Sequence, residues 1–162
     1  EGSATGTITV YSSQAESWRG QTFGAQASDD AIAGSTADPN HNGIPNLIEY
    51  ALNGDPLGSS TGTSILPQAS RNSTDNCLQV AFTRHLDRND ITLTVQAADS
   101  PSGPWTDLAT SENGAPFTVV TSGASVAETG TGNTRGVTVC DLYPLSDPAH
   151  PRRFMRLQVT KP

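Results

Sequence analysis

Apolar and polar residues alternate along much of the last two thirds of the chain. Leu78, Val80 and Phe82 fall on one side, and Gln79, Ala81 and Thr83 on the other. Ile91, Leu93 and Val95 repeat the pattern against Thr92, Thr94 and Gln96. A period of two is the mark of half-buried antiparallel strands. The same signal predicts strands at Trp105 to Ala109, Phe117 to Thr121, Val137 to Leu142 and Phe154 to Thr160, with a weaker one near Ile65-Leu66. The connector from His85 to Asp90 is polar and short enough for a hairpin, and its charges read as a solvated tip. A mostly β fold follows: an antiparallel β-sandwich of about seven strands over residues 64–162.

Residues 12–56 carry a different signal. Ser13 followed by Glu16 has capping-box spacing, which predicts a short helix from Gln14 to Phe23 with Trp18 on it and Gly24 as its stop. Residues 25–37 read as a loop of small residues and Asp. A second helix opens near Pro45 or Asn46 and runs through Leu52; Asn53-Gly54 ends it and Pro56 prevents its return. Residues 1–57 thus form a helix–loop–helix motif. The Gly/Ser/Thr stretch 58–63 is a short connector, and the motif and the β domain are expected to pack as one unit.

The loop between those helices has recognisable chemistry. Residues Asp38 to Glu49 match the twelve-residue EF-hand loop at each diagnostic place. Asp38, Asn40 and Asn42 take the first, third and fifth positions. Gly43 sits where the chain must turn with positive φ. Ile44 would offer its backbone carbonyl, and Asn46 holds the position that often works through water. Glu49 is placed to bind with both oxygens. Ca2+ is a hard cation that takes such oxygens, so the expected cofactor is one structural calcium ion. Only two of the side-chain ligands are charged, which suits an extracellular site rather than a cytosolic sensor. A sensor would also need a paired loop and a Met-rich groove, and this chain has one such loop and one Met.

Composition narrows the class. Only 15% of residues are charged, the net charge is −7, and Lys and Arg form no cluster. That argues against nucleic acid, whose binding depends on neutralising phosphates. No stretch approaches the ~20 apolar residues of a membrane span, so no membrane insertion is expected. The chain begins at Glu1 and reads as a fragment of a longer, processed protein. Cys77 and Cys140 are compatible with one disulfide in an exported protein; two free buried thiols are the alternative. By strand parity both face outward, so a bridge on the outer face of one sheet is allowed.

The segment Ala15-Glu16-Ser17-Trp18-Arg19, then Phe23-Gly24, the calcium loop, and Leu47-Ile48-Glu49-Tyr50-Ala51-Leu52-Asn53-Gly54-Asp55-Pro56 resembles a C-terminal module of large secreted proteins from Verrucomicrobia and related bacteria. That pattern has a Trp-Arg helix, a dockerin-like or thrombospondin type 3-like loop, and an EYALG-like helix. A β-rich segment follows, matched here by Ala98 to Trp105 and by Arg152 to Val159. The resemblance spans nearly the whole chain, although Asn40 and Asn42 stand where Asp is commoner. It implies a non-catalytic domain appended to exported, often polysaccharide-degrading, enzymes or to surface proteins. It names no ligand.

No catalytic signature accompanies these features. There is no Gly-x-Ser-x-Gly elbow and no His-x-x-x-His or Cys-x-x-Cys spacing, and His41, His85 and His150 lie in polar or Pro-rich loops. Sugar binding would need exposed aromatic rings. Trp18 reads as core, as do Phe82, Phe117 and Phe154. Trp105 reads mainly as core or hairpin packing. Tyr143, followed by Pro144, is the aromatic the fold needs least. Tyr143, then Trp105, are the candidate ligand contacts. The expected protein is a monomeric, secreted or cell-surface accessory domain that binds a polysaccharide beside the catalytic domain of its parent. A structural or anchoring spacer is the second reading and a hydrolase the third.

Overall fold

The computed structural model describes residues 10–58 and 65–162. The chain is mostly β, with eight strands in two four-stranded antiparallel sheets and three helices among those residues. Three helical elements come first: α1 (Gln14–Phe23), α2 (Asp30–Ala33) and α3 (Asn46–Leu52). The strands are β1 (Gln68–Arg71), β2 (Cys77–His85), β3 (Thr92–Ala98), β4 (Thr106–Glu112), β5 (Thr118–Val119), β6 (Ser125–Thr129), β7 (Thr134–Pro144) and β8 (Phe154–Thr160). One sheet runs β1-β2-β7-β6 and the other β5-β4-β3-β8.

The helices begin and end where local chemistry dictates. The Ser13 hydroxyl accepts from the Glu16 backbone N–H, the expected cap of α1. Gly24 ends α1 at φ 53, and a 3₁₀ turn follows at Gly24–Gln26. Helix α2 lies inside the segment read as loop. It is one turn long, capped by Asp29, whose carboxylate accepts from Ala31 N–H. So short an element has too few residues to show a helical period. Helix α3 ends at Asn53, which adopts the left-handed conformation at φ 60.

The strand pattern identifies strands well and partners less well. β2 and β3 do not form the expected hairpin. β2 pairs with β1 and β7, whereas β3 pairs with β4 and β8, so residues 86–91 arch from one sheet to the other. Alternation reports which face is buried and says nothing of the neighbour. Ile65-Leu66 forms no strand, and β1 begins at Gln68. β6 was not anticipated, because its apolar residues are small or sparse. Phe154, read as core, is 36% exposed at the start of β8.

The apolar sides of the two sheets share one core. Val80, Phe82, Val137 and Val139 from one sheet meet Leu93, Val95, Ala97 and Leu108 from the other. Tyr50, Ala51 and Leu52 of α3 belong to the same cluster, with α3 touching β2 and β8. Cys77 and Cys140 are bonded across β2 and β7, Cα to Cα 6.0 Å. Both cysteines are buried although their parity points them outward. The turn after β1 lies over the bridge: the Asn72 side-chain amide donates to Cys140 Sγ at 3.4 Å.

The arch is an anchor rather than a solvated tip. Asp90 Oδ1 accepts from the Tyr50 hydroxyl at 2.6 Å, and Asp90 Oδ2 accepts from Ala15 N–H at 2.7 Å. Arg88 Nε donates to the Tyr50 carbonyl at 3.1 Å, and its guanidinium lies over the Tyr50 ring at 4.6 Å. Tyr50 also packs on Trp18, 5.3 Å between ring centroids, and Trp18 meets Phe23 edge-on at 5.7 Å. One turn therefore ties α1 and α3 to the sheets.

Candidate functional site

Residues 38–49 fold inward around their own side chains. Asp38 Oδ1 accepts from Asn42 N–H at 3.1 Å, and Asp38 Oδ2 accepts from Gly43 N–H at 2.8 Å. Asn40 Oδ1 accepts from Asn42 N–H at 3.2 Å, and Asn42 Oδ1 accepts from Ile44 N–H at 2.8 Å. The Asn42 amide nitrogen donates to Glu49 Oε1 at 2.9 Å. The side chains of Asp38, Asn40 and Asn42 thus meet on the backbone N–H groups of residues 42–44, and Glu49 joins them through the Asn42 amide. Gly43 supplies the sharp turn at φ 83, and His41 takes a left-handed conformation at φ 56.

Glu49 is almost fully buried, 1% exposed, on the first turn of α3. Its position depends on the end of that helix. Gly54 N–H donates to the Glu49 carbonyl at 2.7 Å, and a Cβ on Gly54 would collide with Glu49 Oε2. Glycine at 54 is what leaves room for the carboxylate. The Asn40 amide nitrogen donates to the Asp55 carbonyl at 3.1 Å, so the same turn also holds the front of the loop.

Asn46 is placed differently from its loop neighbours. Its amide nitrogen donates to the carbonyls of Ile32 and Gly34, at 2.8 and 2.9 Å, and its side chain forms part of the wall of a cavity between α1 and α3. It fastens α2 to α3. The donor set in the loop is therefore two carboxylates, two amides and whatever backbone carbonyls face inward. Among the described residues no group of three or more His, Cys, Asp or Glu side chains is gathered for a metal. The oxygen types present are those a calcium ion takes, weighted towards neutral amides.

The two aromatic candidates have different partners. Tyr143 borders a cavity of about 250 Å³ built from loops at one end of the sheets, with Asp99, Thr106, Thr121, His150 and Arg153. His150 stacks on the Tyr143 ring at 3.6 Å, and Arg153 lies 5.0 Å from its centroid. Arg153 is held on both sides. Its Nε and Nη2 donate to the buried carboxylate of Asp141 at 2.5 and 2.8 Å, and its Nη1 donates to Asp99 at 2.8 Å. Those bonds from Arg153, then from His150, hold the Asp99 carboxyl below the usual carboxylate range. The Asp141 and Asp99 bonds likewise push Arg153 further up.

Trp105 is half-buried, with the Arg156 guanidinium over its ring at 4.2 Å. Arg156 Nε donates to Gln96 Oε1 at 2.7 Å, and Gln96 Nε2 donates to Asp107 at 2.6 Å. A guanidinium, an amide and a carboxylate thus form one row across β8, β3 and β4, with the Trp105 ring, just before β4, under the guanidinium. The row could not be read from the sequence, because three of its members come from three different strands and Trp105 from the loop before β4. No protein-family profile, curated protein or solved structure matches this chain.

Proposed function

We propose that this chain is a non-catalytic accessory domain of a secreted polysaccharide-active enzyme, a β-sandwich braced by one calcium ion in an EF-hand-like loop and binding carbohydrate. The observation that carries the reading is the convergence of Asp38, Asn40 and Asn42 on the backbone N–H groups of residues 42–44, with the Glu49 carboxylate joined to them through the Asn42 side chain. These residues would hold the ion, together with the Ile44 carbonyl. A cation would compete for Glu49 Oε1 with the amide proton of Asn42. Its contribution is structural: it would fix the exit of the loop to the first turn of α3, and so to the core.

Three features support the wider reading. The Cys77–Cys140 bridge suits an oxidising compartment, as in exported proteins. Resemblance to the Verrucomicrobia-type secreted module points the same way. The Tyr143 cavity and the Trp105 row supply aromatic rings beside amide, carboxylate and guanidinium groups, the combination that grips sugars. Affinity electrophoresis through a panel of neutral plant, algal and fungal polysaccharides tests it. Retardation by at least one is expected; unretarded migration in all of them, by folded protein, overturns it.

A spacer or anchoring role is the second reading. It is favoured by the prior engagement of both rings, Tyr143 by His150 and Trp105 by Arg156. Removing the domain from its parent separates the two. Loss of surface retention with unchanged glycan binding would support the spacer.

A further inference from the structure

The loop from Asp38 to Glu49 carries side-chain amides, Asn40 and Asn42, at two places where Asp is commoner. Each uses its NH2 group for a bond that a carboxylate could not make. The Asn42 side-chain amide donates to Glu49 Oε1, on the first turn of α3, at 2.9 Å. The Asn40 side-chain amide donates to the Asp55 carbonyl, just past the far end of α3, at 3.1 Å. The oxygens fix these orientations. Asn42 Oδ1 accepts from Ile44 N–H at 2.8 Å and Asn40 Oδ1 from Asn42 N–H at 3.2 Å, which turns each NH2 group to its partner. The loop is thus fastened to both ends of α3 by amides alone.

Glu49 requires such a partner. It is 1% exposed, and among the described residues its carboxylate forms no ion pair. No Lys or Arg occurs from residue 31 to residue 70, whereas Asp38, Glu49 and Asp55 all fall there. Glu49 Oε1 accepts from Asn42 alone, and Oε2 from no described residue. A buried carboxylate is destabilising unless a cation or a hydrogen-bond donor meets it. Asn42 is the donor in place. It is half-buried, so it lies nearer to solvent than the carboxylate it meets.

We infer that the Asn42 side-chain amide is a stand-in for the calcium ion, a latch that keeps the loop folded on α3 when the ion is absent. Binding exchanges the Asn42–Glu49 bond for the cation, and that competition sets the affinity. The site is therefore a weak, reversible one. Its occupancy follows the surrounding calcium level, and emptying it leaves the loop in shape. An aspartate at 42 reverses both properties. It keeps an acceptor for Ile44 N–H, but its other oxygen faces Glu49 as a like charge, repulsive without a cation and attractive to one. The inference rests on the proposed calcium site and names what regulates it.

The test compares the whole chain with its Asn42→Asp variant, in calcium chloride and in EGTA. Hydrogen exchange of wild type in EGTA needs no variant. The Gly43 and Ile44 backbone amides, which donate to Asp38 and Asn42, should stay protected. Asn42→Asp should melt roughly 3–12 °C below wild type in EGTA, as loss of a hydrogen bond to a charged group implies. By calorimetric titration it should bind calcium about tenfold more tightly or better. Unprotected Gly43 and Ile44 amides in EGTA overturn the inference. So does a variant that melts with wild type in EGTA, or one that binds calcium no more tightly. If wild type binds calcium alongside any of those results, the brace stands and the latch falls. If wild type ignores calcium while its amides stay protected and the variant gains binding, the latch stands and the brace falls.

Discussion

Replacing Asp90 by alanine removes the acceptor for two donors at once: the Tyr50 hydroxyl at 2.6 Å and the Ala15 N–H at 2.7 Å. Tyr50 is 1% exposed, so its hydroxyl loses a charged partner with little access to water. That loss is worth about 1.5–3 kcal/mol. The Ala15 N–H belongs to the first turn of α1, where water can partly replace the carboxylate, adding about 0.5–1 kcal/mol. Asp90→Ala should therefore cost about 2–4 kcal/mol, a large part of the 5–15 kcal/mol typical of a domain. For a chain of this length that is roughly 4–16 °C in Tm. Urea unfolding followed by Trp fluorescence measures it directly. The sign with pH is also fixed. Burial pushes the Asp90 carboxyl up, but hydrogen bonds from Tyr50, Ala15 and Ser13 outweigh it and hold the group below the usual range. A carboxylate depressed in the folded state stabilises above its unfolded pKa of about 3.9, and that contribution fades as pH falls through the folded value. Asp90→Asn should flatten this part of the acid limb. A cost for Asp90→Ala below about 0.5 kcal/mol would mean that the arch does not anchor the helices, and that Tyr50 is held by packing alone.

Other expectations rest on separate parts of the molecule. Reducing the Cys77–Cys140 bridge, which spans 63 residues, should cost about 4 kcal/mol on the chain-entropy model, read as the fall in urea midpoint with a thiol reductant. Glu128→Ala should cost about 3–5 kcal/mol. It strands the Arg84 guanidinium, 1% exposed, whose Nε donates to Glu128 at 2.5 Å, and calorimetry of the variant against Glu128→Gln checks it. Gly54→Ala should displace the Glu49 carboxylate and weaken calcium binding at least tenfold by isothermal titration calorimetry, because the new Cβ occupies the place of Glu49 Oε2.

The sequence made some of this legible and hid the rest for physical reasons. Helices α1 and α3 were readable because their caps are local: Ser13 bonding three residues on, Asn53 taking a left-handed turn. β2, β3, β7 and β8 were readable because one face of each is apolar at period two. Their distribution between two sheets was not, since pairing depends on contacts far apart in sequence. The loop from Asp38 to Glu49 was legible because all its members lie within twelve positions. The Arg88–Asp90 anchor and the cavity beside Asn46 were hidden. In each, a polar residue that looks solvated in sequence is covered by an element from elsewhere: Tyr50 over the arch, α1 over Asn46. Charged residues near a turn are normally surface residues, and only tertiary contact distinguishes the exceptions.

The proposed function begins at the loop, so calcium occupancy tests it most directly. The measurement is thermal unfolding of wild type and Glu49→Ala, each in calcium and in EGTA. Binding at a hundredfold excess over Kd stabilises by about 2.7 kcal/mol, or roughly 5–11 °C here. Wild type should gain a rise of that order with calcium, and Glu49→Ala should melt at one temperature in both conditions. A wild-type melting temperature unmoved by calcium would contradict the brace.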